Sequence, residues 1–381
     1  MLNNIIYYIS LILPLRENLI LLESQPDYSD NSLFFYNFLQ KNSTKQLEWI
    51  VESNVQPCSQ TFSYNKKIGL QPITYMKMAT AKYVFFSHNY PYFKKKKKKQ
   101  IIVYMTHGCP IKKNKPKKLK NPPIDYIEPS NFDYALCIGV GAVIPQARFC
   151  MCPPSMVLPL GYPRNDFLIS NKGVTRDNPF SKNQNEKIII WMPTFRTSIY
   201  KSLSENRSQN NFGLPILNSY EEINYLNSFL KDNEIRLLIK IHRLQQEFPI
   251  FSYRFSNIDF ITDRILSERN ILLYEIIGKT DALLTDYSSI YFDYLLIDKP
   301  VGFTLDDYNE YMDDRGFVYE DLKSILAGHH IYSLDDMKSF ILDIRSNMDR
   351  YSQERHVIKK HFHHDDPMAS SKRIAEYFEL V

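Results

Sequence analysis

Short apolar runs rich in β-branched residues return along the whole chain, separated by segments with helical periodicity. In the first half they are ENLILLES (17–24), QLEWIVES (46–53), IIVYM (101–105) and DYALCIG (133–139). PDYSDNSLFFYNFLQKN (26–42) reads as a loop and then a helix starting near Ser29 to Asn31. TYMKMATAKYVFFSHN (74–89) reads as a helix running into a strand, and MVLPLGYPRNDFLI (156–169) closes the half. The polar stretch 170–187 looks like a linker, after which the rhythm restarts with KIIIWMPTF (187–195) and IRLLIKIH (235–242). Between these two, SYEEINYLNSFLKDN (219–233) places Ile223, Leu226, Phe229 and Leu230 on one helical stripe. The segment 271–303 holds a short helix, a strand, a buried helix and another strand, and ASSKRIAEYFEL (369–380) is helical with a serine N-cap. Such βα alternation makes a parallel sheet with helices on both faces. Two such halves predict two α/β domains and a ligand cleft between them.

Composition agrees with a globular protein large enough for two cores: 381 residues, 44% apolar. The net charge of +5 favours anionic partners without choosing among them. Cys58, Cys109, Cys137, Cys150 and Cys152 form neither a paired zinc pattern nor a disulfide framework. IIYYISLILPL (5–15) has no basic start or cleavage site and is shorter than the roughly 20 apolar residues of a membrane span. The chain is expected in the cytoplasm. GxGxxG and P-loop signals are both missing.

Chemistry-bearing residues fall where strands end. In YMTHGCPIKK (104–113), His107 ends a strand, and Lys112 and Lys113 follow. Open α/β sheets bind ligands at that end, and an imidazole there moves protons near neutral pH. IKIHRL (239–244) repeats the pattern with His242. In LLTDYSSIYFDYLL (283–296) a strand ends at Thr285 and Asp286, and a helix starts at Ser288 or Ser289, which makes either an anion site or an ordinary cap. MPTFR supplies Thr194 and Arg196, GYPRND supplies Arg164 and Asp166, and YMDDRGF supplies Arg315. HFHHDD (361–366) matches no zinc spacing and reads as an exposed loop. KKKKKK (94–99) reads as a solvated turn, or as a contact for anionic lipid if the substrate is lipid-linked. No nucleic-acid motif surrounds it.

Taken together, these motifs resemble the CDP-glycerol glycerophosphotransferase family, the primases and polymerases of teichoic acid. The segment 17–39 resembles the family's opening strand and YSDNP segment. YMTHGCPIKK resembles WHGTPLKK, GYPRNDFL resembles GYPRNDxL, MPTFR resembles PTWR, and IKIHRL resembles KLHP. LLTDYSSIYFDYLLIDKPVGF with DDYNEYMDDRGF resembles the long C-terminal signature. Met105-Thr106, Cys109 and Arg243 depart from those patterns.

The resemblance implies a GT-B-like α/β fold, two Rossmann-type domains facing across a cleft: 1–175 on the acceptor side, 176–366 binding nucleotide, and a C-terminal helix at 367–381 that packs back on the first. It implies transfer of glycerol phosphate from CDP-glycerol to a polyol-phosphate or glycan hydroxyl, lipid-linked or capsular, with release of CMP. CDP-ribitol as donor, or sugar transfer from a nucleotide sugar, is the alternative. His107 would be the general base and His242 would contact the pyrophosphate. Arg196, Thr194, Asp286, Ser288, Ser289 and Arg315 would hold phosphate or nucleotide, and Lys112, Lys113, Arg164 and Asp166 would lie on the acceptor side. No cofactor is required, although Mg²⁺ could accompany the diphosphate. The protein is expected at the inner face of the membrane, held to its anionic surface, with no nucleic-acid partner.

Overall fold

The computed structural model describes residues 9, 12–51, 63–65, 72–88, 97–114, 132–173, 177–183, 185–194, 213–241 and 249–381. The chain divides into two compact units. One comprises Met1–Cys109, Pro116–Phe167 and Phe362–Val381, the other Pro110–Lys115 and Leu168–His361. The chain therefore passes from the first unit to the second directly after Cys109, returns at Pro116, and comes back to the first unit at its end.

In the first unit the elements run β1 (Arg16–Glu23), α1 (Asp30–Asn42), β2 (Gln46–Val51), β3 (Ser63–Asn65), α2 (Pro72–Thr80), β4 (Ala81–Phe86), β5 (Ile101–Tyr104), β6 (Tyr134–Leu136), α3 (Val143–Cys150), β7 (Val157–Leu158) and α4 (Pro163–Ser170). The strands pair in parallel in the order β3-β2-β1-β4-β5-β6-β7. Leu19 to Leu22 are all buried, so β1 reads as a continuous apolar run because both faces of a parallel sheet are covered. The sheet order reverses between β1 and β4, which makes that gap the expected ligand position.

The second unit continues with β8 (Lys187–Trp191), α5 (Tyr220–Asp232), β9 (Ile235–Lys240), β10 (Ile258–Ile261), α6 (Asp263–Glu268), α7 (Leu273–Ile277), β11 (Ala282–Thr285), α8 (Ile290–Tyr294), β12 (Val301–Thr304), α9 (Tyr308–Asp314), β13 (His329–Ile331), α10 (Leu334–Arg345) and α11 (Ser352–Phe362). Its parallel sheet has the order β10-β9-β8-β11-β12-β13, reversing between β8 and β11. The two sheets thus repeat one doubly wound plan. Helix starts follow local chemistry. Ser219 accepts from the Glu222 N–H at 3.2 Å while Glu222 reaches back to the Asn218 N–H at 2.6 Å, a variant of the capping box. Ser333 and Asp336 repeat the arrangement at α10.

Arg236 of β9 is buried and makes a forked pair with Glu186, both contacts at 2.9 Å, and a third bond to Asp259 at 2.6 Å. It ties the entry of β8 to β9 and β10. The segment expected to be a linker is packed where it is described: the Asn178 amide donates to the carbonyls of Ile276 and Lys279, and Phe180 is buried.

After α11 the chain re-enters the first unit and ends in α12 (Ser370–Tyr377). A Cβ at Gly139 would lie 2.3 Å from the Phe362 carbonyl oxygen, so only glycine admits this returning strand of chain. The returning segment also corrects one expectation. His363 in HFHHDD is buried rather than exposed, although His361 and His364 face solvent. No group of three His, Cys, Asp or Glu that could hold a metal forms among the described residues.

Candidate active site

His107 follows β5, next to the β1–β4 gap of the first unit. The turn that carries it is strained and then pinned. Thr106, a β-branched residue, has φ of +58°, and Asp30 and Tyr28 have φ of +54° and +55°. Such conformations cost about 1–3 kcal/mol each and persist where surrounding contacts impose them. Here the contacts come from afar in sequence. The buried Asn31 amide donates to the carbonyls of Met105 at 3.2 Å and Thr106 at 3.0 Å. Arg164 donates to the His107 carbonyl at 2.9 Å and to Asp30 at 2.7 Å. The His107 ring is exposed, and its Nδ1 lies 3.3 Å from the Tyr104 hydroxyl. Backbone clamping with ring exposure is what a proton-transferring imidazole needs.

Electrostatics in this cluster favour charge separation. Burial by itself would raise the Asp30 carboxyl, but Arg164, His88 and His107 outweigh it and hold the pKa below the usual carboxylate value. Burial pushes the Tyr104 phenol far up, helped by Cys150, Asp30 and Glu23, so that hydroxyl stays protonated. His88 ends β4, at the β1–β4 gap itself. Its ring stacks on His107 with centroids 4.9 Å apart and planes 21° from parallel. Sequence reasoning passed over His88, Asp30 and Asn31. The signal for His88 was present, since VFFSHN is another apolar strand ending on a histidine.

Two residues expected to face the acceptor have other roles in the first unit. Arg164 is buried and holds the His107 turn through its pair with Asp30. Asp166 accepts from the Ser370 N–H at 2.9 Å, the Ser371 N–H at 2.8 Å and the Ser371 hydroxyl at 2.6 Å, which fastens the start of α12. In the first unit Arg164 thus braces the His107 turn and Asp166 the start of α12.

In the second unit, Thr194 follows β8 and Asp286 follows β11, so the two flank the other reversal point. The Asp286 carboxylate is fully buried and accepts from the Thr194 N–H at 2.7 Å and the Thr194 hydroxyl at 2.6 Å. Thr285 reinforces the junction by donating to the Met192 carbonyl at 3.0 Å. Through these two bonds Asp286 braces the loop after β11 against the loop after β8. Beyond it Ser288 and Ser289 are half-buried, and their hydroxyls have no partner among the described residues. The α8 helix they precede has only five residues. Anion binding there rests on hydroxyls and backbone N–H groups more than on a helix dipole, which a long buried helix would have supplied.

Lys112 and Lys113, expected on the acceptor side, belong to the second unit. Lys112 bridges Phe317, Lys113 N–H donates to the Gly316 carbonyl at 3.0 Å, and Val318 N–H donates to the Ile111 carbonyl at 2.9 Å. Arg315 Nε donates to the Lys113 carbonyl at 3.1 Å, so two cationic side chains share one knot. Gly316 lies at φ +72°, and a Cβ there would press on the Lys113 side chain at 3.3 Å. His242 and Arg196 lie outside the described residues.

A family model described as CDP-glycerol:poly(glycerophosphate) glycerophosphotransferase matches residues 5–380. The chain belongs to this family. It is accordingly a glycerophosphotransferase-like enzyme within a group that handles teichoic acid glycerol phosphate and ribitol phosphate. A teichoic acid glycerol-phosphate transferase of Staphylococcus aureus is 26% identical over 95% of this chain and 92% of its own. A teichoic acid poly(glycerol phosphate) polymerase of Bacillus spizizenii is 27% identical over 83% and 81%. A teichoic acid ribitol-phosphate primase of the same organism is 24% identical over 74% and 70%. Among solved structures, the wall teichoic acid polymerase TagF shares the fold with a TM-score of 0.73 at 21% identity, over 96% of this chain and 89% of that one. A Listeria monocytogenes protein described as a UDP-N-acetylglucosamine 2-epimerase does so at 0.53 and 11%, over 96% and 98%. These fold relatives agree with the α/β, GT-B-like class. No helix among the described residues is long and apolar enough to cross a membrane.

Proposed function

We propose that this glycerophosphotransferase moves glycerol phosphate from CDP-glycerol to a hydroxyl of a teichoic acid-type acceptor and releases CMP. The observation that carries the reading is the family match along nearly the whole chain, combined with a clamped, exposed histidine at a strand end. The acceptor oxygen attacks the β-phosphorus, the bond to the bridging oxygen breaks, and CMP leaves with that oxygen. In the tautomer that donates Nδ1–H to the Tyr104 oxygen, a neutral His107 keeps its lone pair on Nε2, from which it takes the hydroxyl proton. Ser288 and Ser289, with Lys113 and Arg315, supply donors and charge for phosphate oxygens. His242 and Arg196 complete the phosphate contacts in this reading. Phosphoryl transfer asks mainly for positioning and charge neutralisation, which these residues provide in kind. Any Mg²⁺ rides on the diphosphate rather than on a dedicated protein cage.

The acceptor in this reading is lipid-linked, which places the enzyme at the inner membrane face, with the exposed Lys98 and Lys99 available to anionic lipid. The test is to incubate the protein and a lipid-linked polyol-phosphate acceptor separately with CDP-glycerol, CDP-ribitol and a UDP-sugar. CMP release dependent on CDP-glycerol supports the proposal. Turnover confined to CDP-ribitol replaces the donor, and turnover confined to the UDP-sugar rejects phosphotransfer.

A further inference from the structure

Helix α3 ends on Cys150-Met151-Cys152, two half-buried thiols to which the proposed reaction assigns no part. Met151 lies in the left-handed region, at φ +50° and ψ +48°, and the Cys152 N–H donates to the Ala147 carbonyl at 3.1 Å. That is the six-to-one bond of a Schellman turn. The dihedrals of Met151 are close to the mirror image of a helical residue. Helix dimensions, a radius of about 2.3 Å and a rise of about 1.5 Å, then put the Cα atoms of its two neighbours about 5.4 Å apart. Disulfides form across Cα separations of about 4.4–6.8 Å, so the backbone already stands at bridging distance.

The side chains agree with the backbone. The Cys150 thiol donates to the Cys152 sulfur, and Gln146 Nε2 donates to Cys150 at 3.1 Å. The bond from Cys150 holds the Cys152 thiol below its ordinary pKa against the effect of burial, and the same bond, with burial, pushes Cys150 far up. Cys152 is thus the nucleophile of the pair. It also lines a surface cavity of about 340 Å³ with Ile144, Arg148, Met151 and Pro154, which gives a small reagent room beside it. Cys109 and Cys137 differ in being buried, and Cys137 donates to the Gly139 carbonyl at 3.3 Å.

We propose that Cys150 and Cys152 form a thiol–disulfide site, closed by a small disulfide such as oxidised glutathione, and that closure slows the reaction at His107. The Cys152 thiolate attacks one sulfur of the oxidant and expels a glutathione thiolate. The Cys150 sulfur then attacks the Cys152 sulfur of the mixed disulfide and expels the second. The two protons of the cysteines pass to the two glutathione thiolates, so the protein loses two electrons and two protons and the oxidant gains them. A bridge across a single residue makes a tight ring, and strained bridges are the readily reduced ones, so closure is reversible. The path to the site is short. The Phe149 ring lies 6.5 Å from His107, and Cys150 lies beside Tyr104, whose hydroxyl is 3.3 Å from His107 Nδ1. The slowing rests on the reading of His107 as the general base; the bridge does not.

The experiment equilibrates the purified full chain with graded ratios of oxidised to reduced glutathione and takes two readings. Trypsin releases 149–164 as one peptide that holds Cys150, Cys152 and no other cysteine. In the oxidised protein this peptide should lose about 2 Da, and dithiothreitol should restore it. CMP release from CDP-glycerol should fall about tenfold, within the roughly 10²-fold that a misplacement of about 1 Å can cost, and should recover with dithiothreitol. Cys152→Ser should keep its activity at every ratio. A peptide that stays reduced, or that carries glutathione without closing, overturns the proposal. A closed bridge with unchanged turnover, or equal inhibition of Cys152→Ser, overturns the link to His107. The peptide mass needs no turnover, so a protein inactive on CDP-glycerol would sink the functional reading while the mass still decides the bridge.

Discussion

Replacing Asp286 tests whether the second reversal point is braced as described. Its carboxylate accepts the Thr194 N–H and hydroxyl in a fully buried position. Asp286→Ala leaves two buried donors without those acceptors, at about 1–3 kcal/mol each, so the unit should lose about 2–6 kcal/mol. Asp286→Asn behaves differently. Its amide oxygen still accepts from the Thr194 N–H, and its NH₂ donates to the hydroxyl oxygen, so the loss should be about 0.5–1.5 kcal/mol, the worth of the charge. The readout is built in. The chain has two tryptophans, Trp49 in the first unit and Trp191 three residues before Thr194. In a Trp49→Phe background, urea denaturation followed by fluorescence reports the second unit through Trp191. Equal losses in the two variants, or a loss in Asp286→Ala below about 1 kcal/mol, would refute the brace.

Removing Arg236 strands the buried carboxylate of Glu186, so Arg236→Ala should cost about 3–5 kcal/mol in the same fluorescence assay. Asp166→Ala should loosen α12, seen as faster C-terminal proteolysis, with little change in KM for donor. A raised KM with intact proteolytic resistance would restore Asp166 to the acceptor side. Burial, with Lys323 adding to it, lowers the His330 pKa from its ordinary 6.5 despite a contact with the Leu326 carbonyl. The folded state then binds fewer protons, so this stability is full above the unfolded value and is lost as pH falls below it. Urea midpoints should drop between about pH 7.5 and about pH 5.5, and His330→Gln should flatten the drop.

The alternating strands and helices were legible because parallel strands buried on both faces read as unbroken apolar runs, as at Leu19 to Leu22 and Ile188 to Trp191. His107 was legible because a strand end is where such sheets work. Its supports were not. Arg164 meets Asp30 across 134 positions, and Asp166 meets Ser370 across 204, so their polar groups looked available for substrate when read locally. Lys112 and Lys113 were assigned by adjacency to His107, but the chain changes units between Cys109 and Pro110, and pairing with 316–318 decides where they sit. His88 carried the same local signal as His107, an apolar strand running into a histidine, but its stacking on His107 joins residues from two different strand ends and is not visible locally.

The central claim is that His107 takes the acceptor proton and does not hold the donor. Calorimetry of CDP-glycerol binding, run beside CMP release for wild type and His107→Ala, separates the two. The account predicts near-unchanged donor affinity with turnover reduced about 10²–10⁴-fold. Weakened donor binding with turnover per bound substrate intact would contradict it.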